Sequence, residues 1–231
     1  MNQTAIWSYL QNHNEEFFLG ASTRATRLLK MAEKRQSAGI LLNIGAGNGY
    51  LESQAKKAGW NVVSVDPDHS TCTRLVSDGI DARVGVAERL PVDSKSVDVV
   101  IATELFEHLS AGSFRDALSE IRRVLTQRGI LLGTVPYCEN LASSLVICPD
   151  CKKAFHRYGH QQSFTPESIR AQLSSHFQVR VCRPELFPPW NILNWKGKVI
   201  ASLQLLISRM GVHGSSENIL FVCNQVNMSG G

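Results

Sequence analysis

Several features that would place this chain in a specialised class are missing from its sequence. No apolar run reaches the roughly 18 residues of a membrane-spanning helix. Repeats are absent, and low complexity is confined to a short Met-Ser-Gly-Gly stretch near residue 231. The first residues include acids and lack the long apolar core of a signal peptide. We therefore expect a cytoplasmic protein.

Charge of one sign is also scarce, because the net charge is only +4. That value does not indicate nucleic-acid binding, and we expect none. Residues 152–210 are an exception, with nine Lys/Arg and two acids. This segment is either an unevenly charged solvated surface or a face toward an anionic acceptor or a membrane surface. The sequence leaves both interpretations open.

The composition is otherwise ordinary for a folded enzyme-sized chain. With 231 residues, 43% of them apolar, it can bury a core without disulfides. Without a secretion signal, its six cysteines are interpreted as thiols or metal ligands.

Hydrophobic runs alternate with amphipathic segments along most of the chain, which predicts an α/β fold with a doubly wound, mostly parallel sheet. Ligands bind such sheets at the carboxyl ends of the strands. The predicted strands are 40–45, 61–66, 81–85, 97–102, 129–135, 177–183 and 218–225. The predicted helices are 3–18, 21–36, 50–58, 69–77, 112–126, one starting at Thr165-Pro166, and 195–210.

We predict a single domain over residues 1–231. It divides into an N-terminal helical cap (1–38), a cofactor-binding core (39–135), a Cys/His insertion after strand five (136–164) and a C-terminal part on the acceptor side (165–231). A loop as long as 136–164 is usually functional or tied by a metal.

A glycine-rich loop, Asn-Ile-Gly-Ala-Gly-Asn-Gly-Tyr, links the first strand of the core to a helix. Glycines allow a tight turn and close approach to a ligand, and a helix N-terminus favours a carboxylate. Asp66 ends the next strand, where it can accept hydrogen bonds from ribose hydroxyls; its alternative role is in a turn. A dinucleotide fingerprint requires glycine at position 50, where this chain has Tyr50.

Four segments between Leu41 and Pro136 resemble the small "type 11" group of class I S-adenosylmethionine-dependent methyltransferases. They read LLNIGAGNGYLE, VVSVDPD, AERLPVDSKSVDVVIATELFEHL and IRRVLTQRGILLGTVP. The resemblance implies a Rossmann-like methyltransferase sheet whose last strand is antiparallel. It also implies that Gly45, Gly47 and Gly49 contact the methionine part of the cofactor and that Asp66 holds its ribose.

Two positions depart from that group. Asn43 replaces an acid that holds the cofactor's ammonium group, and Val86 replaces an Asp that accepts from the adenine amino group. Adenine would then depend on the backbone of Ala87 and Glu88. The complete predicted cofactor set is Asn43, Gly45, Ala46, Gly47, Gly49, Asp66, Pro67, Ala87, Glu88 and Thr103.

Glu104, Glu107 and His108 follow strand four, near the cofactor end of the sheet. Glu104 and His108 are the candidate catalytic residues. His108 is interpreted as a general base or as a structural histidine. Methyl transfer needs a base only when the acceptor cannot lose its proton unaided.

The insertion contains Cys148, Cys151, His156 and His160, which we predict bind a structural zinc ion. The segment resembles a CPxC…FHxxGH insertion of some bacterial methyltransferases of this group. The alternative is that the cysteines are plain thiols and the histidines line an acceptor pocket. Because it follows strand five, the insertion is expected to fold over the site as a lid.

Residues 186–210 are rich in apolar side chains flanked by Lys196, Lys198 and Arg209. They form either a core-packing helix or an interfacial helix or apolar acceptor channel. The function predicted from the sequence is S-adenosylmethionine-dependent methyl transfer to an O or N atom of a small-molecule or glycan-like acceptor. The alternatives are a zinc-bearing binding module with a degenerate cofactor site and an NAD(P)-dependent oxidoreductase.

Overall fold

The computed structural model describes residues 7, 9, 11, 18, 20–214 and 216–226. Most of the predicted helix 3–18 lies outside these residues, although Trp7, Tyr9 and Gln11 are helical. The described helices are α1 (Ala21–Glu33), α2 (Tyr50–Lys57), α3 (His69–Ser77), α4 (Ala111–Val124), α5 (Pro166–Ser174) and α6 (Trp195–Arg209).

The strands are β1 (Ile40–Ile44), β2 (Asn61–Asp66), β3 (Asp81–Val84), β4 (Val97–Thr103), β5 (Leu125–Pro136), β6 (Leu145–Ile147), β7 (Ala154–His156), β8 (Phe177–Glu185) and β9 (Asn218–Gln225). Two short 3-10 helices, Phe106–His108 and Leu141–Ser144, follow β4 and β5.

Seven strands form one sheet in the order β3-β2-β1-β4-β5-β9-β8. Strands β1 to β5 are parallel to their neighbours, whereas β9 runs antiparallel to both β5 and β8. This confirms the predicted doubly wound sheet with an antiparallel last strand, and it places β9 between β5 and β8. Successive strands add on one side of β1 up to β3 and on its other side from β4 onward, so the topological switch point lies between β1 and β4.

Two apolar clusters cover opposite faces of the sheet, because neighbouring side chains of a strand point to opposite sides. Leu41 packs in the cluster that includes Leu28 of α1 and Leu51 of α2. Its neighbour Leu42 packs in the cluster that includes Phe114 of α4. The helices therefore shield both faces and leave the carboxyl ends of the strands available to a ligand.

The boundary between α4 and β5 differs from the prediction. The predicted helix extends to residue 126, but the helix ends at Val124 and β5 begins at Leu125. Leu125 pairs with Val97 of β4, and the register shifts between Val97 and Val99. Pairing across the sheet therefore overrides the helical pattern of the sequence.

The core-packing interpretation of residues 186–210 is wrong for α6. Ala201 is its one fully buried residue, and the large apolar side chains Trp195, Ile200, Leu203 and Leu206 are each more than half exposed. None of the residues of α6 belongs to the clusters on the faces of the sheet, which are filled by other helices. No helix in the described part of the chain is long and apolar enough to cross a membrane.

Candidate active site

The glycine loop closes tightly over the end of β1. The Gly45 amide donates to the Val65 carbonyl of β2 at 2.9 Å, and the φ angles of Gly45, Gly47 and Gly49 are 87°, 55° and 83°. A Cβ atom on Gly49 would lie 2.6 Å from Leu75 Cδ2, whereas one on Gly45 would meet nothing within 4 Å. Gly49 thus allows close packing against α3, and Gly45 leaves open space beside the loop.

A cavity of about 720 Å³ lies at the switch point, within the size range of small-molecule sites. It brings together nine of the ten predicted cofactor residues, while Gly49 lies outside its wall. The residues predicted from sequence that line it are Asn43, Gly45, Ala46, Gly47, Asp66, Pro67, Ala87, Glu88, Thr103, Glu104, His108 and His160. Residues widely separated in sequence therefore converge on one space.

Asp66 is held rigidly at the end of β2. Its Oδ2 accepts from the Ala46 amide at 2.9 Å and from Gln11 Nε2 at 3.1 Å, and its Oδ1 accepts from the Asp68 amide at 2.8 Å. The side chain is almost completely buried, and this burial raises the pKa of its carboxyl group. The bond from the Asp68 amide is the turn contact that the sequence offered as the alternative role of Asp66. The N-cap of α3 is Asp68 and not Asp66.

Asn43 stands above a buried carboxylate that sequence reasoning missed. Its Nδ2 donates to Glu52 Oε1 at 2.7 Å, and Ser64 Oγ donates to the same oxygen at 2.7 Å. Burial raises the pKa of Glu52. Asn43 Oδ1 is buried and has no hydrogen-bond partner among the described residues. An unpaired buried acceptor suits an ammonium group, and the Glu52 carboxyl group bonded to Asn43 Nδ2 supplies an acid next to it.

The turn after β3 lacks the acid usual in the resembling group. Val86 is 47% exposed and its carbonyl accepts from the Arg89 amide at 3.1 Å, while Ala87 is buried. Ala87 and Glu88 both line the cavity. The backbone of this turn and the apolar surface of Ala87 are therefore what an adenine ring would meet.

Glu104 lies just after β4 with a φ of 50°, in the left-handed region. Its Oε1 accepts from Thr134 Oγ1 and its Oε2 from Asn218 Nδ2, each at 2.9 Å. Arg24 Nη1 lies 3.9 Å from Oε2. A carboxylate that accepts from two donors and lies near a cation is fixed in place and stays charged, which suits it to positioning and electrostatics.

His108 ends the 3-10 helix after β4 and lines the cavity. Burial and the neighbouring His160 lower its pKa to about 3. The imidazole is therefore neutral near pH 7, and it is a weak base because its conjugate acid is so strong. Its edge packs on Trp7 and on His160, with ring centroids 5.0 Å and 4.7 Å away.

The structure divides the predicted zinc ligands into two groups. Strands β6 and β7 form a hairpin in which Leu145 pairs with His156, so His156 lies at the open end and residues 148–153 form the turn. Cys148 and Cys151 occupy that turn, whereas His156 stacks on His160 with ring centroids 4.7 Å apart. No described cysteine belongs to a cluster of three or more ligand atoms. The predicted Cys₂His₂ set is thus not assembled, because the strands of the hairpin separate its members.

Sequence analysis assigned no role to Gln11, Glu52, Glu107 or Glu139, although it placed Glu107 near the cofactor end of the sheet. Gln11 bonds to Asp66, Glu107 is buried in the cavity wall beside His108, and Glu139 contacts both His156 and His160. Glu52 on the buried face of α2, beside Leu51 and Ala55, was a recognisable signal, because an acid seldom occupies such a position. Glu139 gave no comparable signal.

Comparisons with known proteins show which family and which fold this chain is similar to. Residues 42–133 match the family model of a methyltransferase domain. An uncharacterized methyltransferase of Mycobacterium tuberculosis is 32% identical over 93 residues, which cover 39% of this chain and 37% of that protein. The match therefore spans little more than a third of the length of the curated relative.

Solved structures extend the likeness in fold to almost the whole chain. A SAM-dependent methyltransferase from Thermotoga maritima is similar with a TM-score of 0.67 at 16% identity, covering 97% of this chain and 100% of that one. A Burkholderia thailandensis 1,6-didemethyltoxoflavin-N1-methyltransferase, solved with S-adenosylhomocysteine and its substrate, gives 0.67 at 14% identity, covering 97% and 87%. These structures show that the fold is the Rossmann-like methyltransferase fold.

Proposed function

We propose that this protein is an S-adenosylmethionine-dependent methyltransferase acting on a small-molecule or glycan-like acceptor. The observation that carries the proposal is the single cavity at the switch point between β1 and β4, which joins the glycine loop, Asp66 and the turn at Ala87. An NAD(P)-dependent oxidoreductase is less compatible, because Tyr50 occupies the position of the third fingerprint glycine.

The residues present fit the cofactor. Asp66 keeps one acceptor site for a ribose hydroxyl, since a carboxylate has about four lone-pair sites and three are engaged. The unpaired Asn43 Oδ1 is placed for an ammonium group, and the open space beside Gly45 admits the chain that carries it. When bound, S-adenosylmethionine supplies a methyl group already activated on sulfur, so the protein mainly has to position the acceptor.

The acceptor side of the cavity is formed by Glu104, His108, Tyr158 and His160. Tyr158 and His160 come from the insertion, which supports its proposed role as a lid. Glu104 would position the acceptor and His108 would offer it a neutral imidazole. The acceptor atom is an O or N. None of the nine Lys/Arg of residues 152–210 lines the cavity, so the basic segment does not favour negative charge on the acceptor.

We further propose that α6 contacts an anionic lipid surface. Its exposed apolar side chains are flanked by Lys196, Lys198 and Arg209, and residues 186–214 contain no acid. Such a helix binds lipid through apolar burial and through attraction to anionic head groups. None of the described residues of α6 lines the cavity, so the acceptor-channel interpretation loses its support.

Transfer of a labelled methyl group tests the enzymatic proposal. Purified protein would be incubated with methyl-labelled S-adenosylmethionine and a cell extract that has been separated into small-molecule, glycan, protein and nucleic-acid fractions. We expect label in the small-molecule or glycan fraction, and loss of that label with the D66N variant. Label confined to protein or nucleic acid would contradict the proposed acceptor class.

A further inference from the structure

Three histidines and two glutamates gather on the acceptor side of the cavity. The ring of His160 lies 4.7 Å from the ring of His108 and 4.7 Å from that of His156, measured between centroids. Glu107 and Glu139 border the histidines on either side. The backbone joins the two parts, because the Gln161 amide of the insertion donates to the Glu107 carbonyl at 2.7 Å.

This cluster contains most of the unsatisfied buried polar atoms of the described chain. Seven buried side-chain nitrogen or oxygen atoms lack a hydrogen-bond partner among the described residues, and four of them are Glu107 Oε1 and Oε2, His108 Nδ1 and His156 Nε2. Glu107 is 1% exposed. A buried carboxylate with two unpaired oxygens is costly unless a cation meets it. The cluster therefore calls for a positively charged ligand.

Hydrogen bonds indicate which nitrogen atoms can bind such a ligand. The amides of Tyr158 and His160 both donate to His156 Nδ1, at 3.3 Å and 3.1 Å. Nδ1 of His156 is thus an acceptor, and in the neutral ring the proton belongs on Nε2, which lies 3.4 Å from Glu139 Oε1. His156 consequently has no free lone pair to give to a metal.

His160 is oriented in the opposite sense. Its Nδ1 contacts the other oxygen of Glu139 directly, so the carboxylate holds the proton on Nδ1 and the lone pair lies on Nε2. A carboxylate behind a histidine is the usual support of a metal-binding imidazole. Glu107, His108 and His160 all line the cavity, whereas Glu139 and His156 do not.

We infer that Glu107, His108 and His160 bind one divalent transition-metal ion in the cavity wall, with Glu139 as the residue that orients His160. The three ligand atoms lie within 4.8 Å of one another. Ligands of a tetrahedral zinc ion are separated by about 3.4 Å, because its bonds are about 2.1 Å long. Small side-chain rotations therefore bring them to bonding distance.

The ligand set defines the class of ion and its use. Two imidazoles and one carboxylate suit zinc and other borderline divalent ions, and three protein ligands leave a position open. Because all three line the cavity, that open position faces the acceptor side. If the proposed function holds, the ion would bind an acceptor oxygen and lower the pKa of its hydroxyl group. Metal binding itself does not depend on that function.

Calorimetric titration of the full chain with Zn²⁺ tests the site directly. We expect the chain to bind Zn²⁺ at this site, and E107Q, H108Q and H160Q to weaken that binding by about a hundredfold or more, since each removes one of three ligands. E139Q should weaken it by about tenfold to hundredfold, as for other supporting carboxylates. E107Q should fold, because it removes an unpaired buried charge.

Matched controls separate this site from its two rivals. C148S/C151S tests the cysteine pair, and H156Q tests the cluster of Glu139, His156 and His160. Both variants should keep the Zn²⁺ affinity of the site formed by Glu107, His108 and His160. The inference would be overturned if C148S/C151S or H156Q lost Zn²⁺ affinity while E107Q and H108Q kept it. It would also be overturned if E107Q bound Zn²⁺ as tightly as the wild-type protein, or if the wild-type protein bound none.

Binding of S-adenosylhomocysteine is measured on the same variants. Retained binding in E107Q and H160Q would show that the fold and cofactor site persist when the metal is lost. D66N should show the reverse, with Zn²⁺ affinity kept and cofactor affinity reduced. Failure of the metal site and failure of the proposed function are thus distinguishable.

Discussion

Three carboxylates at the site are buried, and each has its own partners. Asp66 accepts from the backbone of the glycine loop, Glu52 accepts from Asn43 and Ser64, and neither carboxyl oxygen of Glu107 has a hydrogen-bond partner among the described residues. Burial raises the pKa of all three. Their chemistry therefore differs through hydrogen bonding, although their burial is similar.

Substitution of Asp66 tests its role with a matched control two residues away. We expect D66N to weaken S-adenosylhomocysteine binding by about tenfold to hundredfold, because a charge-assisted hydrogen bond contributes about 1.5–3 kcal/mol. D68N makes the same chemical change at the cap of α3, where Asn serves as well as Asp. Calorimetry should show unchanged affinity for D68N, and equal losses in both variants would contradict the assignment.

Glu52 should make stability depend on pH. Its folded-state pKa is raised, so its favourable contribution is complete below its unfolded pKa and is lost as pH rises through the folded value. Relative to E52Q, the wild-type protein should lose about 1.4 kcal/mol of unfolding free energy for each unit of upward shift. Urea unfolding of both proteins between about pH 4 and pH 8 measures the difference. A difference constant with pH would refute the expected effect.

At the scale of elements, the sequence predicted most of the fold because local signals and burial agree. Strand β2 was predicted with its observed bounds, since an apolar run lies between Gly59 and Pro67. The insertion was less predictable. Its hairpin of three-residue strands is too short to give a periodic pattern, so the sequence predicts only a long loop there and groups its Cys and His residues by spacing alone.

The glycine loop offers a matched pair of substitutions. Gly45 and Gly49 have nearly the same φ, so alanine should cost about 1 kcal/mol at each for the left-handed backbone. G49A should cost about 1–3 kcal/mol more, because its Cβ would overlap Leu75 Cδ2. Chemical denaturation compares the two, and equal destabilisation would contradict the packing described for α3.

The exposed apolar side chains of α6 should contribute little to the stability of the fold. L203S removes a side chain that is 55% exposed, so unfolding free energy should change by less than about 0.5 kcal/mol. L118A in α4 removes a buried side chain and should cost about 2–5 kcal/mol of unfolding free energy.

The lipid proposal for α6 is tested by vesicle binding. The wild-type protein should co-sediment with anionic vesicles at low salt, and L203S/L206S should not. Failure of the wild-type protein to sediment would remove the lipid proposal.

At the scale of the whole molecule, the site exists because the order of the strands reverses between β1 and β4, which leaves a crevice at their carboxyl ends. Nine of the ten residues that the resemblance predicts for the cofactor line one cavity, since they lie at or near the ends of predictable strands. The acceptor side could not be predicted in the same way. Glu139 and His160 are separated by 21 residues in the chain and meet because the hairpin of β6 and β7 brings the two ends of the insertion together.

The molecule that fills this cavity distinguishes a methyltransferase from an oxidoreductase. Isothermal titration of the full chain with S-adenosylhomocysteine and, separately, with NAD identifies it. We predict micromolar binding of S-adenosylhomocysteine, about −8 kcal/mol, and no comparable heat with NAD. Binding of NAD in preference to S-adenosylhomocysteine, or binding of neither, would contradict the proposal that the glycine loop and Asp66 form a methyltransferase cofactor site.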